Sequence, residues 1–322
     1  PIILAGYVDA PLEDGSLKRV RIDHAHMEED AGKLTHHDGY SLVDLNRAGT
    51  PLIEIVSEPD MHSAEEAKAY VSELHKLMVY AGVTYGNLYH GNMRFDVNIS
   101  VAKKGATELG KRAEIKNLNS FRSVERAAEY EFKRQVDILE RGEEVVQETR
   151  GWNDDKQITI SQRSKEDAQD YRYMPDPDIP PVVLTDEVIT EIQSKVPMLP
   201  GEYREKWSVL NLDKSVINSL LSNQDYAQIT LEVQEKSGEA SAKRVAHWFA
   251  SALTASDESD AQTDNESTRV AVDDLIELAE MTEKSEVSST NAKELFNELL
   301  AGAENPRKLA EEKNLLQVSD ES

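Results

Sequence analysis

Several short segments of this sequence gather side chains that can bind a metal ion or carry a proton. The first, residues 26–33, places three carboxylates, an imidazole and an amine within eight positions. Mg²⁺ takes oxygen ligands from one or two protein carboxylates and from the phosphates of a substrate, so the segment is a candidate Mg²⁺ site. In a strand, Glu28 and Asp30 would share one face and Glu29 would lie on the other. A solvated acidic turn is the commoner explanation for such a run when it stands alone.

The second candidate is a carboxylate within an apolar strand. Glu54 lies between Ile53 and Ile55 in the β-branched run 52–56, which predicts a buried strand. A buried carboxylate is unfavourable unless it is paired or binds a metal. Two explanations remain open: Glu54 is a metal ligand, or it is the structural partner of an arginine such as Arg47.

A polar strand face and a helix start supply further candidates. Residues 94–101 alternate between polar and apolar side chains, which predicts a strand with Asp96 and Asn98 on its polar face. Residues 114–120 bring an acid, a lysine, two carboxamides and a hydroxyl to the start of a helix, where phosphate binds favourably. The ordinary alternatives are that Asp96 is a surface residue and that residues 119–120 only cap the helix.

Charge is unevenly distributed along the chain. The net charge of −25 is unlike that of a general nucleic-acid binder, but residues 251–322 alone carry 18 acidic and 6 basic side chains. The part of the chain before residue 190 can therefore form a local basic surface despite the negative net charge. Five residues mix cations and aromatic rings, as RNA contacts often do: Arg163, Lys165, Tyr171, Arg172 and Tyr173. The alternative is that they are packing residues.

Several classes of protein are excluded by what the sequence lacks. It has no cysteine, which excludes disulfides, thiol nucleophiles and thiolate metal sites and is compatible with the cytoplasm. No apolar run approaches the roughly 20 residues that span a bilayer. The sequence also has no Gly-x-x-x-x-Gly-Lys-Ser/Thr loop and no Gly-x-Gly-x-x-Gly, so ATP chemistry would need another scaffold.

The pattern of elements predicts an α+β domain over residues 1–186 and an all-α helical domain over residues 187–322. Ser63 and Glu66 form a capping box for a helix that stops at Gly82, and a second long helix is predicted from about Phe121 to Arg141. Residues 182–184 predict one more strand before the helical patterns begin. Composition and spacing alone thus predict a carboxylate-rich α+β domain followed by helices, with Mg²⁺ dependence as a hypothesis.

Taken together, the segments resemble the B subunit of the glutamyl/aspartyl-tRNA amidotransferases, in order and in spacing over essentially the whole chain. The resemblance implies a catalytic cradle related to glutamine synthetase and guanido kinases, N-terminally incomplete here, and a helical domain that helps to hold tRNA. The segments that carry it are 26–33, 43–55, 55–60, 93–100, 114–121 and 170–173.

The family resemblance also implies a reaction and its partners. ATP phosphorylates the side-chain carboxylate of misacylated Glu-tRNA(Gln) or Asp-tRNA(Asn), and ammonia from the A subunit displaces the phosphate, in a heterotrimer of A, B and C subunits. The cofactors are ATP and Mg²⁺. Position by position, the resemblance implies Glu29, Glu54 and Asp96 as catalytic residues, with Glu28 and His26 as near alternatives. The implied metal ligands are Glu28, Glu29, Glu54 and Asp96, and the implied contacts to ATP, phosphate or the amino acid are Lys33, Arg94, Asn98 and Lys116.

The sequence also departs from that family. The N-terminal strand with Glu and His ligands, a cysteine zinc knuckle found in some members and the C-terminal tail domain have no counterpart, so we expect a fragment without full transamidation activity. Two other functions remain as alternatives. A carboxylate–amine ligase for a free small molecule would turn over ATP without tRNA. A non-catalytic tRNA-binding or assembly module would keep its binding after loss of the acidic residues.

Overall fold

The computed structural model describes residues 1–164, 180–181, 183–258 and 270–317. The chain divides into two compact units, Pro1–Gln193 and Ser194–Ser322, whereas the sequence predicts a boundary near residue 186. The first unit contains both strands and helices, which confirms the predicted α+β class.

A three-stranded antiparallel sheet opens the first unit. Its strands are β1 (Gly6–Pro11), β2 (Leu17–Glu29) and β5 (Pro51–Ser57), in the order β1-β2-β5. The side chains of Val20, Ile22 and Ala25 are buried on one face of β2. A β-bulge between Ile22 and His24 keeps Ala25 on this face. Because side chains alternate along a strand, His24, His26 and Glu28 lie on the other face.

A separate hairpin connects β2 to β5. It consists of β3 (Lys33–His37) and β4 (Tyr40–Asp44), and every residue of both strands is exposed. At its base, Arg47 forms an ion pair of 2.6 Å with Asp30. The two ends of the hairpin therefore lie beside the paired ends of β2 and β5.

The second sheet has four strands in the order β6-β7-β8-β9. These are β6 (Phe95–Ile99), β7 (Ala113–Leu118), β8 (Glu148–Asn153) and β9 (Ile158–Ser164), and only the β7–β8 pair is parallel. A β-bulge on β7 sets two residues, Lys116 and Asn117, opposite the single Asp96 of β6. Asn117 has a φ of 67°, the left-handed conformation that asparagine tolerates better than most residues.

Two helices cover the apolar sides of these sheets. Helix α1 (Ala64–Tyr80) is capped by Ser63, whose side chain accepts from the Glu66 amide, and helix α2 (Phe121–Glu140) is capped by Ser120. Both predicted helices are confirmed. They share one core with both sheets, formed by Val8, Ala10, Val20, Ile22, Tyr70, Val71, Leu74, Phe95, Ile115, Leu118, Val124, Ala127 and Trp152.

The elements described after the first unit are helices. They are α4 (Pro200–Trp207), a 3-10 helix (Ser208–Leu210), α5 (Lys214–Leu220), α6 (Gln224–Ser237), α7 (Glu239–Glu258), α8 (Val272–Glu283), α9 (Ser289–Leu300) and α10 (Pro306–Glu312), while α3 (Asp186–Lys195) crosses the division between the units. The core of the second unit includes Trp207, Leu220, Phe249, Leu278 and Phe296.

One predicted element is wrong. Of the predicted strand 182–184, Val183 and Leu184 are exposed and form no strand, because no strand in the described part of the structure pairs with them, and Val182 lies outside the described residues. Helix α3 begins soon afterwards, at Asp186. None of the described helices combines the length and the apolar character needed to cross a membrane.

Candidate active site

Three potential metal ligands converge at the paired ends of β2 and β5. His26 and Glu54 are direct partners across the two strands, and Glu28 follows two residues after His26 on the same face of β2. The His26 Nε2 atom lies 2.7 Å from Glu28 Oε1 and 3.0 Å from Glu54 Oε2. We call these three residues the acid–histidine cluster. Among the residues described, it is the one group of three such side chains whose ligand atoms fall within 4.8 Å of one another.

The exposure of this cluster differs from the prediction. Glu54 was expected to be buried, but its side chain is 52% exposed, which makes that expectation wrong. The reason is that β5 is an edge strand of a three-stranded sheet, and Glu54 projects from the face opposite the core. Nor does Glu54 pair with Arg47, which binds Asp30 instead.

The cluster is held together by the contacts of the His26 ring. One imidazole nitrogen, His26 Nε2, lies within hydrogen-bond distance of both carboxylates. His24 stacks against the His26 ring with centroids 5.1 Å apart, which fixes its plane. The ligand atoms of the three side chains are close enough to one another to hold a cation.

Glu29 lies at the end of β2, next to Glu28. Successive side chains leave opposite faces of a strand, so Glu29 projects away from the acid–histidine cluster. The structure therefore brings Glu28 and Glu54 together with His26 and does not bring Glu29 to them. The catalytic role of Glu29 stays a prediction.

A second polar group occupies the open face of the four-stranded sheet. Lys116 Nζ lies 3.2 Å from Asp96 Oδ2 and 3.3 Å from Glu114 Oε1. Glu114 in turn accepts a hydrogen bond of 2.9 Å from Thr149 Oγ1 of β8. Asn98 is the direct cross-strand partner of Glu114. We call these five residues the lysine cluster.

The two neighbouring carboxylates determine the charge state of Lys116. Partial burial lowers the pKa of its ammonium group, but attraction to Asp96 and Glu114 outweighs burial, so the pKa is raised above its ordinary value of 10.5. Lys116 is therefore positively charged at neutral pH. With 39% of its side chain exposed, it can contact an anion that approaches the sheet face.

The remaining predicted residues lie outside these contacts. Lys33 begins the exposed hairpin strand β3, and Arg94 is an exposed residue immediately before β6, two positions from Asp96. Asp96 binds Lys116 and is not part of the acid–histidine cluster. Of the predicted RNA contacts, residues 165 and 171–173 and the side chain of Arg163 lie outside the described part of the structure.

A buried network that was not predicted from the sequence lies on the opposite face of the four-stranded sheet from the lysine cluster. Glu131 of α2 has no exposed side-chain surface and accepts two hydrogen bonds from Arg134, at 2.6 and 2.9 Å. It also accepts from Gln135 and from Thr159, each at 2.9 Å. Arg150 of β8 approaches Glu131 to 3.5 Å. The signal was present, because Glu131 falls within the apolar helical stripe of Val124, Ala127 and Ala128.

The match to known families covers both units. Residues 1–190 match the GatB/GatE catalytic domain, and residues 231–322 match the GatB domain. The B subunit of the aspartyl/glutamyl-tRNA(Asn/Gln) amidotransferase from Alcanivorax borkumensis is 45% identical over 322 residues, covering 99% of this chain and 67% of the relative. The chain belongs to the GatB family.

Other GatB relatives give the same result. The protein of the same name from Herpetosiphon aurantiacus is 42% identical, over 100% of this chain and 67% of its own length. That from Synechococcus sp. strain JA-2-3B'a(2-13) is 43% identical, over 99% of this chain and 66% of its own. The chain thus spans about two thirds of the length of these GatB proteins, and both polar clusters lie within the part that matches the catalytic domain.

Proposed function

We propose that this chain provides the kinase site of a tRNA-dependent amidotransferase, a ligase of protein biosynthesis. In the first step, ATP transfers its γ-phosphoryl group to the side-chain carboxylate of Glu-tRNA(Gln) or Asp-tRNA(Asn), giving an acyl phosphate and ADP. In the second step, ammonia attacks the acyl carbon and inorganic phosphate leaves, giving the amide. The observation that carries this proposal is the convergence of His26, Glu28 and Glu54 within the part matched by the GatB/GatE catalytic domain.

The donor set of the acid–histidine cluster is compatible with a divalent cation. It offers two carboxylate oxygens and one imidazole nitrogen, and the carboxylates are 38% and 52% exposed, so a substrate phosphate and water can complete the ligand shell. We assign Mg²⁺ to Glu28 and Glu54, with His26 as the third donor. When bound, Mg²⁺ neutralises charge on the transferring phosphoryl group.

Within the lysine cluster, Lys116 is the one positively charged group. Lys116, held by Asp96 and Glu114, presents a fixed ammonium group that can contact a phosphate oxygen or the reacting carboxylate. We propose that Arg94 and Lys33 add mobile positive charge at the edges of the site, and that Asn98 donates from its carboxamide. Asp96 acts here by orienting Lys116.

The wider assembly is also part of the proposal. Ammonia must arrive without being lost to water, and we propose that a glutaminase A subunit and a small C subunit complete a cytoplasmic heterotrimer with this chain. The relatives are named as subunits of an amidotransferase, which supports an assembly of this kind. We further propose that the first unit is a glutamine synthetase- and guanido kinase-like cradle and that the second is an all-α domain that holds tRNA.

The test uses hydroxylamine in place of ammonia. The amidotransferase assembled from this chain and its partner subunits is mixed with Glu-tRNA(Gln), ATP and hydroxylamine, which traps an acyl phosphate as a hydroxamate. Hydroxylamine also cleaves the aminoacyl ester directly, so only the hydroxamate on the side-chain carboxylate is counted. We expect its formation to depend on ATP, and to fall about 100-fold or more with Glu28→Gln. The matched control is Glu13→Gln, an exposed carboxylate in the β1–β2 turn, which should react at the wild-type rate.

Two outcomes of this experiment would contradict the proposal. Formation of the side-chain hydroxamate without ATP would exclude phosphorylation of the carboxylate. A Glu28→Gln enzyme as active as the control would remove the acid–histidine cluster from the reaction.

A further inference from the structure

The loop between α1 and β6 presents two highly exposed aromatic rings. In this tyrosine loop, residues 81–94, Tyr85 is 94% exposed and Tyr89 is 78% exposed. Tyr85 is more exposed than any other large hydrophobic residue in the described part of the chain. The next residue after Tyr89, His90, is also exposed, and its ring contacts Tyr89 edge to face at 5.4 Å.

The loop holds these rings outward by a defined backbone structure. Leu88 and Met93 pack against the core of the first unit, so the loop is anchored from below. The Asn92 amide donates to the Asn87 carbonyl at 3.0 Å, and His75 Nε2 of α1 donates to the Gly86 carbonyl at 2.7 Å. The exposed rings are therefore displayed by an ordered loop.

Glycine is required at the point where the loop meets α1. Gly86 has a φ of 72°, and a Cβ atom there would lie 2.4 Å from a methyl carbon of Val79 and 2.7 Å from His75 Nε2. A larger residue would clash and adopt a strained backbone. This close contact fixes the direction in which Tyr85, the preceding residue, leaves the loop.

The charge of this region is exceptional for the chain. About one residue in five is acidic, with 61 Asp and Glu in 322 residues, yet the 22 positions between Glu73 and Asp96 contain none. The same stretch contains Lys76 and Arg94. A phosphodiester backbone is repelled by acidic surface, so this loop is a part of the first unit that a nucleic acid can approach.

The loop also ends beside the proposed phosphoryl-transfer site. Its last residue is Arg94, which we place at the edge of that site, and Asp96 of the lysine cluster comes two residues later. An amino acid that reacts there is esterified to the single-stranded 3′ end of its tRNA, so unpaired bases must lie close by. Unpaired bases stack on tyrosine rings with little dependence on sequence.

We propose that the tyrosine loop is a stacking surface for the unpaired bases at the 3′ end of the tRNA substrate, with Tyr85 and Tyr89 as the stacking residues. This inference rests on the proposed function, because it takes aminoacyl-tRNA as the substrate. It adds a binding site for nucleobases to a first unit whose polar clusters are assigned to phosphate, metal and carboxylate.

The test compares intact tRNA with tRNA trimmed of its 3′-terminal unpaired nucleotides, both titrated against the assembled amidotransferase. Replacing Tyr85 and Tyr89 by Ala should weaken binding of intact tRNA about 5- to 140-fold for each stacked base lost. The same variant should bind trimmed tRNA as the wild type does. Phe at both positions should restore binding, since the ring is retained.

Controls separate the possible failures. Tyr40→Ala removes another exposed tyrosine, on β4, and should bind intact tRNA normally. ATP binding, measured by equilibrium dialysis, should be unchanged in the double Ala variant; a selective loss of ATP affinity would overturn the inference and make the loop an adenine site for ATP. Equal binding of intact tRNA by wild type and variant, or equal losses for intact and trimmed tRNA, would also overturn it.

The proposed function can fail separately. If the wild-type assembly binds no tRNA and forms no hydroxamate, the proposed function is wrong and the tyrosine loop loses its assigned ligand. If the wild type distinguishes intact from trimmed tRNA and the double Ala variant does so equally well, only the stacking inference is wrong.

Discussion

Replacing Glu131 by Ala should strongly destabilise the first unit. Its carboxylate is fully buried and accepts four hydrogen bonds, two from Arg134 and one each from Gln135 and Thr159. Loss of one partner leaves buried charge uncompensated, because the side chains of Arg134 and Arg150 are only 20% and 11% exposed. Removing one member of such a pair costs about 3–5 kcal/mol of unfolding free energy.

Because Glu148 is still present in the variant, the expected loss of unfolding free energy lies at the lower end of that range. It still contacts Arg150 and lies 3.9 Å from Arg134, so part of the positive charge stays balanced. We therefore expect the Glu131→Ala variant to lose about 3 kcal/mol. Since a single domain is stable by only about 5–15 kcal/mol, the loss should be evident in a urea titration.

Trp152 gives a local signal for this measurement. It is the one tryptophan of the first unit and is buried on β8, while Trp207 and Trp248 belong to the second unit and can be replaced by Phe. Fluorescence of Trp152 then follows unfolding of the sheet that contacts Glu131. The control is Glu143→Ala, which removes an exposed partner of Arg141 and should leave the urea midpoint unchanged.

The pH dependence supplies an independent check. Burial raises the pKa of Glu131, but hydrogen bonds from Arg134, Gln135 and Thr159 and the charge of Arg134 lower it by more, so the folded-state pKa lies below 4.5. A depressed carboxyl pKa contributes stability above the unfolded-state value and loses it as pH falls through the folded-state value. The wild-type advantage over Glu131→Ala should therefore be constant at neutral pH and shrink below about pH 4.5. A cost under about 1 kcal/mol at pH 7 would refute the reasoning, since it would mean that the network is solvated.

The other predictions concern the two polar clusters. Mn²⁺, a paramagnetic substitute for Mg²⁺, should bind the wild-type chain, and its binding can be measured by electron paramagnetic resonance. Glu28→Gln should weaken Mn²⁺ binding at least about 10-fold, whereas Glu29→Gln should not weaken it. An equal loss of affinity in both variants would place Glu29 in the site. Asp96→Asn should lower the pKa of Lys116, because Asp96 raises it in the wild type. An NMR titration of labelled lysine follows this pKa, and an unchanged value would contradict the assigned ion pair.

Local patterns in the sequence were sufficient for much of the fold. The caps of α1 and α2 depend on residues three positions apart, and the alternation on β6 depends on neighbours, so Ser63, Ser120 and Asp96 could be placed without tertiary information. The exposure of Glu54 could not, because it depends on β5 being an edge strand. A run of apolar neighbours does not reveal which strands pair.

The composition of the site depended on long-range register. His26 meets Glu54 because β2 and β5 pair across an inserted hairpin, and a shift of one residue would bring Glu29 to that face instead. The contact between Lys116 and Asp96 likewise depends on a bulge at Asn117 that no local pattern announces. The residue types were therefore predictable from sequence, whereas the choice among adjacent carboxylates was not.

The most direct test of the central claim is a single-turnover transfer of the γ-phosphate of labelled ATP to Glu-tRNA(Gln), with the wild-type assembly and with Glu54→Gln. We expect labelled phosphate on the aminoacyl group in the wild type, and we expect Glu54→Gln to abolish transfer while its affinity for tRNA is unchanged. Normal transfer by Glu54→Gln would contradict the assignment of the acid–histidine cluster, and no transfer by an active wild-type assembly would contradict the kinase function itself.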